Sequence, residues 1–493
     1  MTLPSAYDDY LRDESRLIGS ADSISFPKTE AEVIETVKSA SGLPIIAQGA
    51  RTGIVAGAVP QGGHILNLSR MTEISPLNAS GRTIRVQPGV LLTAIRGAIE
   101  PANLLFPPDP TETSASIGGM AACNASGALT YFYGPTRDWV CSLRVVLANG
   151  SILALKRGEN FAKGRSFAIT TEDGATIEGN LPSYTMPKVK SAAGYYIADN
   201  MDMIDLFIGM EGTLGIITEV ELSLIPRPET VFALTVFMPT EDLALDFVRI
   251  LRGEGVANAP NLRPVAIEFF DHNALDLLRR MKEEYSAFAD IPALQPHFHT
   301  AVYTEFHSNN PLDETIEEIM NLLETMEISD EDTWCATNYR ELERLKAFRH
   351  AVPEAVNLLI DKRKKNMPAL TKLGTDMSAP DSELKTIMAM YRTDLAASAL
   401  ESVIFGHIGN NHVHVNILPN SPEDYETGKK LYANWAERIV KLGGSISAEH
   451  GIGKIKPDYL RLMYGDLAIT EMRALKHILD PHSILNPNNL FPP

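Results

Sequence analysis

Three histidines, His407, His412 and His414, fall within one short window, and Glu449-His450 follows further along the chain. Imidazole binds first-row metals and also moves protons near neutral pH. Two imidazoles plus one carboxylate make a metal site with open positions. His407 and His414 are seven apart, so one straight strand would point them to opposite faces. Between them, Gly409-Asn410-Asn411 is turn chemistry flanked by the apolar runs Val403–Phe405 and Val413–Leu418. That pattern predicts a β-hairpin that folds both rings onto facing strands. Glu449 is the carboxylate candidate, which leaves His450 free to move protons. On spacing alone, three histidines placed near a turn for packing fit equally well.

Elsewhere the chain is rich in glycine clusters. Gln48-Gly49-Ala50-Arg51-Thr52-Gly53 follows a strand and leads to Gly57-Ala58-Val59-Pro60. A second block runs from Phe106-Pro107-Pro108-Asp109-Pro110 through Ser116-Ile117-Gly118-Gly119-Met120 to Asn124-Ala125-Ser126-Gly127, Tyr133-Gly134 and Arg137-Asp138. The third is Phe207-Ile208-Gly209-Met210-Glu211-Gly212-Thr213-Leu214-Gly215-Ile216-Ile217-Thr218. Small residues let backbone amides approach pyrophosphate oxygens. Three such blocks in one region exceed the needs of turns and suggest a cradle for a long dinucleotide. No GxGxxG opens a helix after a strand, and Gly451-Ile452-Gly453-Lys454 lacks the first glycine and the Ser/Thr of a P-loop.

The elements that must position these residues divide near Arg227-Pro228. Residues 29–227 read as short β-branched strands, such as Leu43–Ala47, Ile65–Leu68, Cys141–Leu147 and Ile216–Ile225, with helices at Glu30–Ser39 and Leu91–Ile99. From Val231 onward strand and helix patterns alternate, predicting a sheet with helices on one face. A helix from Arg340 to about Lys364 carries Leu345, Phe348, Val352, Val356 and Leu359 on one face, and Arg349 lies in that stripe. A guanidinium there needs a carboxylate partner, structural or belonging to a ligand. Helices are also expected over Asp381–Ser398 and Pro422–Lys441, and from Met472 to Asp480-Pro481.

Bulk properties bound the class. At 493 residues, with 44% hydrophobic and 22% charged residues, the chain is globular and holds more than one domain. A net charge of −18 argues against nucleic acid as a partner. The three cysteines, Cys123, Cys141 and Cys335, show no CxxC spacing and read as buried spectators in a reduced compartment. No signal-like or membrane-spanning apolar run is present. A cytoplasmic location is expected, with peripheral docking at a membrane left open.

Taken together, these blocks resemble those of FAD-linked oxidoreductases of the vanillyl-alcohol-oxidase type, with a PCMH-type flavin domain. Within that family the resemblance is to the branch of D-lactate, D-2-hydroxyglutarate and glycolate dehydrogenases. The branch pattern GHIGDGNLHVNI stands here as Gly406 to Ile417, and GEHGIGK as Ala448 to Lys454. The resemblance implies an α+β protein. A PCMH-type FAD-binding domain of two α/β subdomains (1–227) would carry an α+β cap with an antiparallel sheet (228–450), and 451–493 would return to the flavin domain. Gln48, Gly49, Ala50, Arg51, Thr52, Gly53, Pro107, Asp109, Thr113, Gly118, Gly119, Asn124, Gly127, Gly134, Glu211, Gly212, Gly215, Ile217 and Asn486 would line the FAD. The FAD would be noncovalent, since the loop holds Ala50 and Arg51 where covalent members need a histidine.

The same resemblance makes His407, His414 and Glu449 ligands of a divalent metal, zinc or manganese, and His450 the catalytic base. Arg349 would clamp the substrate carboxylate, with Asn416 and Lys372 as further substrate contacts. Asn410 replaces the branch's acidic residue, and His412 replaces its asparagine, which leaves the ligand role of His412 open. Gly374 fills the slot of a branch lysine, and Pro353 that of a threonine found in the 2-hydroxyglutarate members, which puts dicarboxylate specificity in question. Tyr195 and Tyr196 fit a flavin-proximal segment or sheet packing equally well. The implied reaction is oxidation of a D-2-hydroxy acid, D-lactate-like, to the 2-oxo acid by hydride transfer to flavin N5. An electron-transfer flavoprotein, quinone or cytochrome would reoxidise the flavin, and a homodimer is compatible. The alternatives are a non-redox transferase of the alkyl-dihydroxyacetonephosphate synthase type and a catalytically silent flavin subunit of a larger complex.

Overall fold

Helix starts in this chain are set by side chains that accept the first free amides. Thr29 caps Glu30–Ser39, Thr240 caps Glu241–Leu251, and Asp271 caps His272–Glu284. Asn338 caps Tyr339–Lys364, and Ser421 caps Pro422–Lys441. The computed structural model describes residues 3–40, 42–254 and 262–492.

Two small sheets, beside two two-stranded pairs (Leu104–Leu105 with Ile225–Pro226, and Ser166–Thr170 with Thr176–Asn180), make up the N-terminal part. One is parallel, in the order Ser23–Ser25, His64–Asn67, Ile45–Gln48. The other is antiparallel, in the order Thr83–Val86, Ile216–Ser223, Val140–Val146, Ile152–Lys156. The C-terminal tail returns to the first of them. Ile45 donates its amide to the Ile484 carbonyl at 2.7 Å, and Asn486 donates to the Ile45 carbonyl at 2.8 Å.

The cap is a seven-stranded antiparallel sheet. Its order is Thr333–Ala336, Thr230–Met238, Thr300–Ser308, Ala266–Phe270, Ser402–Gly406, His414–Ile417, Leu373–Gly374. Helices cover both of its faces, not one as the alternation suggested. Ala233, Phe237, Ala266 and Phe270 pack with helices His272–Glu284 and Tyr339–Lys364. Leu234, Val236, Ile267 and Phe269 pack in the larger core with Glu241–Leu251 and Leu384–Ser398. The reason is visible in Thr230–Met238, whose residues are apolar at both parities and buried along nearly the whole strand. Such a strand needs cover on each side.

Two further expectations are corrected. The last helix starts at Pro457, well before Met472, and is interrupted by Gly465 at φ 81. Cys335 is exposed, lying on the edge strand, while Cys123 and Cys141 are half-buried; all three are free thiols. Among the described residues no helix is long and apolar enough to cross a membrane.

Candidate active site

Ser402–Gly406 and His414–Ile417 pair antiparallel, with Phe405 opposite His414 and Val403 opposite Asn416. The loop between them is a short 3-10 turn ended by Asn411 in the left-handed region. Arg252 holds this loop by donating to the Ile408 carbonyl and to Asn411 Oδ1. Gly406 sits at φ 117, and a Cβ there would lie 2.8 Å from the His414 ring. Glycine at that position therefore lets the imidazole lie across the strand end.

His407 and His414 each have one nitrogen against an oxygen and the other turned toward Glu449. His407 Nδ1 lies 2.6 Å from Glu268 Oε1, and its Nε2 stands 3.4 Å from Glu449 Oε2. His414 Nδ1 meets the Thr375 carbonyl at 3.0 Å, and its Nε2 stands 3.5 Å from Glu449 Oε1. His412 Nε2 is 3.1 Å from Asp376 Oδ1, without the alignment of a hydrogen bond, and its Nδ1 is 4.0 Å from Glu449 Oε2. The facing donor atoms of all four residues lie within 4.8 Å of one another. Two donors on one zinc-sized ion stand no more than ~4.2 Å apart, so His407, His414 and Glu449 fit a cation with little movement. Carboxylate and carbonyl partners on the outer nitrogens are the arrangement that fixes ligand tautomers.

Lys190 was not anticipated. Its buried Nζ lies 2.7 Å from Glu449 Oε2 and 3.3 Å from His412 Nδ1. The nitrogen of His412 that faces the cluster is therefore already engaged. Burial works against the charge on Glu449, yet Lys190, His407 and His412 hold its carboxyl well below the usual range. Burial, with Lys190 adding to it, keeps His412 well below an ordinary imidazole. For His407 burial is outweighed by Glu268, and its pKa is raised.

Asp376, like Lys190 and Glu268, has no role assigned from the sequence. It is fully buried, and it accepts from Lys456 Nζ at 2.8 Å, Ser447 Oγ at 2.6 Å and the amides of Glu449 and His450 at 3.1 and 3.0 Å. His450 Nδ1 lies 3.4 Å from Asp376 Oδ2, and its ring stacks on His414 at 5.4 Å. Burial is again overcome, here by His450 and Lys456, and Asp376 stays well below the carboxylate range.

Arg349 projects from the helix Tyr339–Lys364 and is 6% exposed. Pro353, four residues on, has no N–H to close the helical bond on the Arg349 carbonyl. Nη2 reaches His350 Nε2 at 2.8 Å and Asp109 Oδ2 only at 3.8 Å, and the buried Nε has no partner among the described residues. A buried guanidinium with a spare donor is equipped to receive a ligand anion.

These side chains open into one cavity of about 1010 Å³, at the upper end of the ligand-pocket range. Gln48, Gly49, Ala50, Arg51, Thr52, Gly53, Gly118, Gly119, Glu211, Gly212, Gly215, Ile217 and Asn486 line it, as do Arg349, Lys372, His407, His414, Asn416, Glu449 and His450. Pro107, Asp109, Thr113, Asn124, Gly127 and Gly134 stand off its wall. Gly127 is needed for packing, since a Cβ there would lie 1.8 Å from the Asp109 carbonyl. Asn124 accepts from the Arg137 amide at 2.9 Å. Tyr195 is buried and bonded to Thr213 Oγ1 at 2.8 Å, and Tyr196 lies under the Arg137 guanidinium at 4.3 Å. Along the Gly-rich loop, the amides of Arg51, Thr52 and Gly53 make no hydrogen bond to described residues. Free amides in a cavity of this volume, lined also by Gly119 and Gly212, fit a dinucleotide.

The comparisons agree with this reading. Residues 227–490 match the model of FAD linked oxidases, C-terminal domain, and residues 21–156 match the FAD binding domain. The chain belongs to the FAD-linked oxidases and is an FAD-dependent oxidoreductase. It is 29% identical to a D-lactate dehydrogenase of Anaerostipes hadrus over 98% of this chain and 92% of the relative. It is equally 29% identical to a D-2-hydroxyglutarate dehydrogenase of Xanthomonas citri pv. viticola, over 99% of this chain and 93% of the relative. Among solved structures, an alkyldihydroxyacetonephosphate synthase superposes with a TM-score of 0.64 at 18% identity, covering 96% of this chain and 77% of that one. That likeness establishes the shared fold.

Proposed function

We propose that this enzyme oxidises a D-2-hydroxy acid to the 2-oxo acid, using noncovalent FAD and a divalent cation held by His407, His414 and Glu449. The observation that carries the reading is the convergence of the inward imidazole nitrogens of His407 and His414 on Glu449, in the same cavity as a buried arginine with a free donor. A bound cation would supply Lewis acidity at the substrate hydroxyl, and bound FAD would supply the hydride acceptor. Arg349 binds the carboxylate and fixes its orientation, and its carboxylate neighbours keep it charged despite burial. Asn416, on the same sheet face as His414, offers an amide to the substrate. His450 takes the hydroxyl proton while Asp376, at its Nδ1, stabilises the imidazolium that results. His412 is assigned to Lys190 and not to the cation, because its inward nitrogen is engaged.

Relatives named for D-lactate and D-2-hydroxyglutarate support the hydroxy-acid class. A cytoplasmic enzyme that passes electrons to a separate carrier completes the proposal. The test is anaerobic titration of the purified flavoprotein with D- and L-2-hydroxy acids, with metal analysis of the same sample. Bleaching by D-acids and one equivalent of cation are expected. Flavin that no hydroxy acid reduces would sink the reading and favour the transferase.

A further inference from the structure

The walls of the cavity beyond Arg349 bear on the substrate's tail, given the hydroxy-acid reading above. Past Arg349 and His350, the long helix turns Pro353, Asn357 and Ile360 toward the cavity. The facing wall is the end of the cap sheet, the row of Phe405, Asn416 and Gly374. Phe405 shares its sheet face with His414, and Gly374 pairs with Asn416. None of these side chains is charged. Lys372, a cation that also lines the cavity, has its Nζ bonded to Asn357 Oδ1 at 3.0 Å. Asn357 lies eight residues beyond Arg349, about 12 Å along the helix axis. Helical side chains also lean toward the N-terminus, so the guanidinium tilts away from that end. His350, which Arg349 touches, is pushed down to about 4 by burial and by that guanidinium, and so offers no charge.

A compact dicarboxylate held at one end by Arg349 would therefore meet proline, glycine, phenylalanine and the uncharged amide of Asn416 at its other end. An unpaired carboxylate there is costly. An apolar tail, by contrast, would gain by burial. We infer that the site takes a 2-hydroxy monocarboxylate with an extended apolar tail, aliphatic or aryl, lying between Pro353 and the Phe405–Gly374 wall. Lys372 and Asn357 then stand at the mouth, where the tail ends.

The experiment uses the holoenzyme with glycolate, D-lactate, D-2-hydroxyhexanoate, D-2-hydroxyoctanoate, D-3-phenyllactate and D-2-hydroxyglutarate. It records kcat/KM with a dye acceptor and the anaerobic rate of flavin reduction. The expected series rises about fourfold per added methylene from D-lactate to D-2-hydroxyhexanoate, with D-2-hydroxyglutarate below the hexanoate. Pro353→Phe should then cut the hexanoate-to-lactate ratio at least tenfold, mainly through KM. Inhibition by simple carboxylates gives a reading that needs no variant, hexanoate binding more tightly than acetate. A series that favours D-lactate, glycolate or D-2-hydroxyglutarate overturns the apolar tail and leaves hydroxy-acid oxidation standing. Flavin reduced by none of the six overturns both.

Discussion

Asp109 separates a cofactor role from a structural one. The resemblance assigns it to the flavin, whereas in the folded chain its carboxylate faces Arg96 Nη2 at 2.6 Å and Arg349 Nη2 at 3.8 Å. Burial opposes its charge, but Lys346, Arg349 and Arg96 together bring it down from 3.8 to about 2. A carboxylate so displaced is worth roughly 2 kcal/mol to the folded state at neutral pH. Because the folded value is the lower one, that stability is fully present above the unfolded value and is lost as the pH falls through about 4 toward 2. Asp109→Asn should therefore cost about 2 kcal/mol, constant from pH 8 to 5. Urea unfolding followed by circular dichroism measures it, and the flavin-to-protein absorbance ratio should not change. A variant as stable as the parent that purifies without flavin would refute the reasoning and return Asp109 to the cofactor.

The other predictions are as follows. His450→Ala should lower kcat by about 10²–10⁴ while metal and flavin content stay at the parent's level. Glu268→Gln removes the carboxylate from His407 Nδ1 and should weaken cation affinity by about 10- to 100-fold, read by chelator competition. Asp271 is pushed up to about 7 by burial, against the pull of the Ile404 and Ala274 amides. Its folded value lies above the unfolded one, so stability falls as the pH rises from about 4 to 7. Asp271→Asn can keep the cap on Ala274 and should gain up to about 4 kcal/mol at pH 8, with little gain near pH 4. Melting temperatures of both proteins across that range decide it.

What the sequence could disclose follows from how locally each feature is encoded. The hairpin was legible because its turn residues and its apolar flanks lie within one short window. Arg349 was legible because a charge inside a helical apolar stripe demands a reason. Several helix starts could be placed because the cap lies close in sequence to the amide it satisfies, whereas the start at Pro457, which has no capping side chain, was missed. Glu268, Lys190 and Asp376 were not legible, since each acts on partners far away in the chain. Glu268 reaches His407 across 139 positions, and Lys190 reaches Glu449 across 259. The glycine blocks marked the cradle but not which glycines face it. A Cβ at Gly134 would lie 1.9 Å from Asp138 Oδ2, so that glycine answers to packing. The cover on both cap faces was missed because alternation of strands and helices does not say to which side each helix turns.

The segment from Glu449 to Lys456 does more than carry a ligand and a base. At its start, the amides of Glu449 and His450 both donate to Asp376, and at its end Lys456 Nζ closes on the same carboxylate. Between these, the amides of Ile452 and Gly453 donate to Glu211 Oε1 and Oε2, both at 2.7 Å. Glu211 belongs to the third glycine block, and its carbonyl accepts from Asn486 and Asn489 of the tail. A boundary at residue 450 thus passes through a stretch stitched to the cap by one buried carboxylate and to the flavin domain by another. Hinging there would break either the three bonds to Asp376 or the two to Glu211, each roughly 1.5–3 kcal/mol. The Arg16–Asp361 pair that links the N-terminal segment to the exposed side of the long cap helix is far cheaper to break, so the two parts are held less firmly on that side.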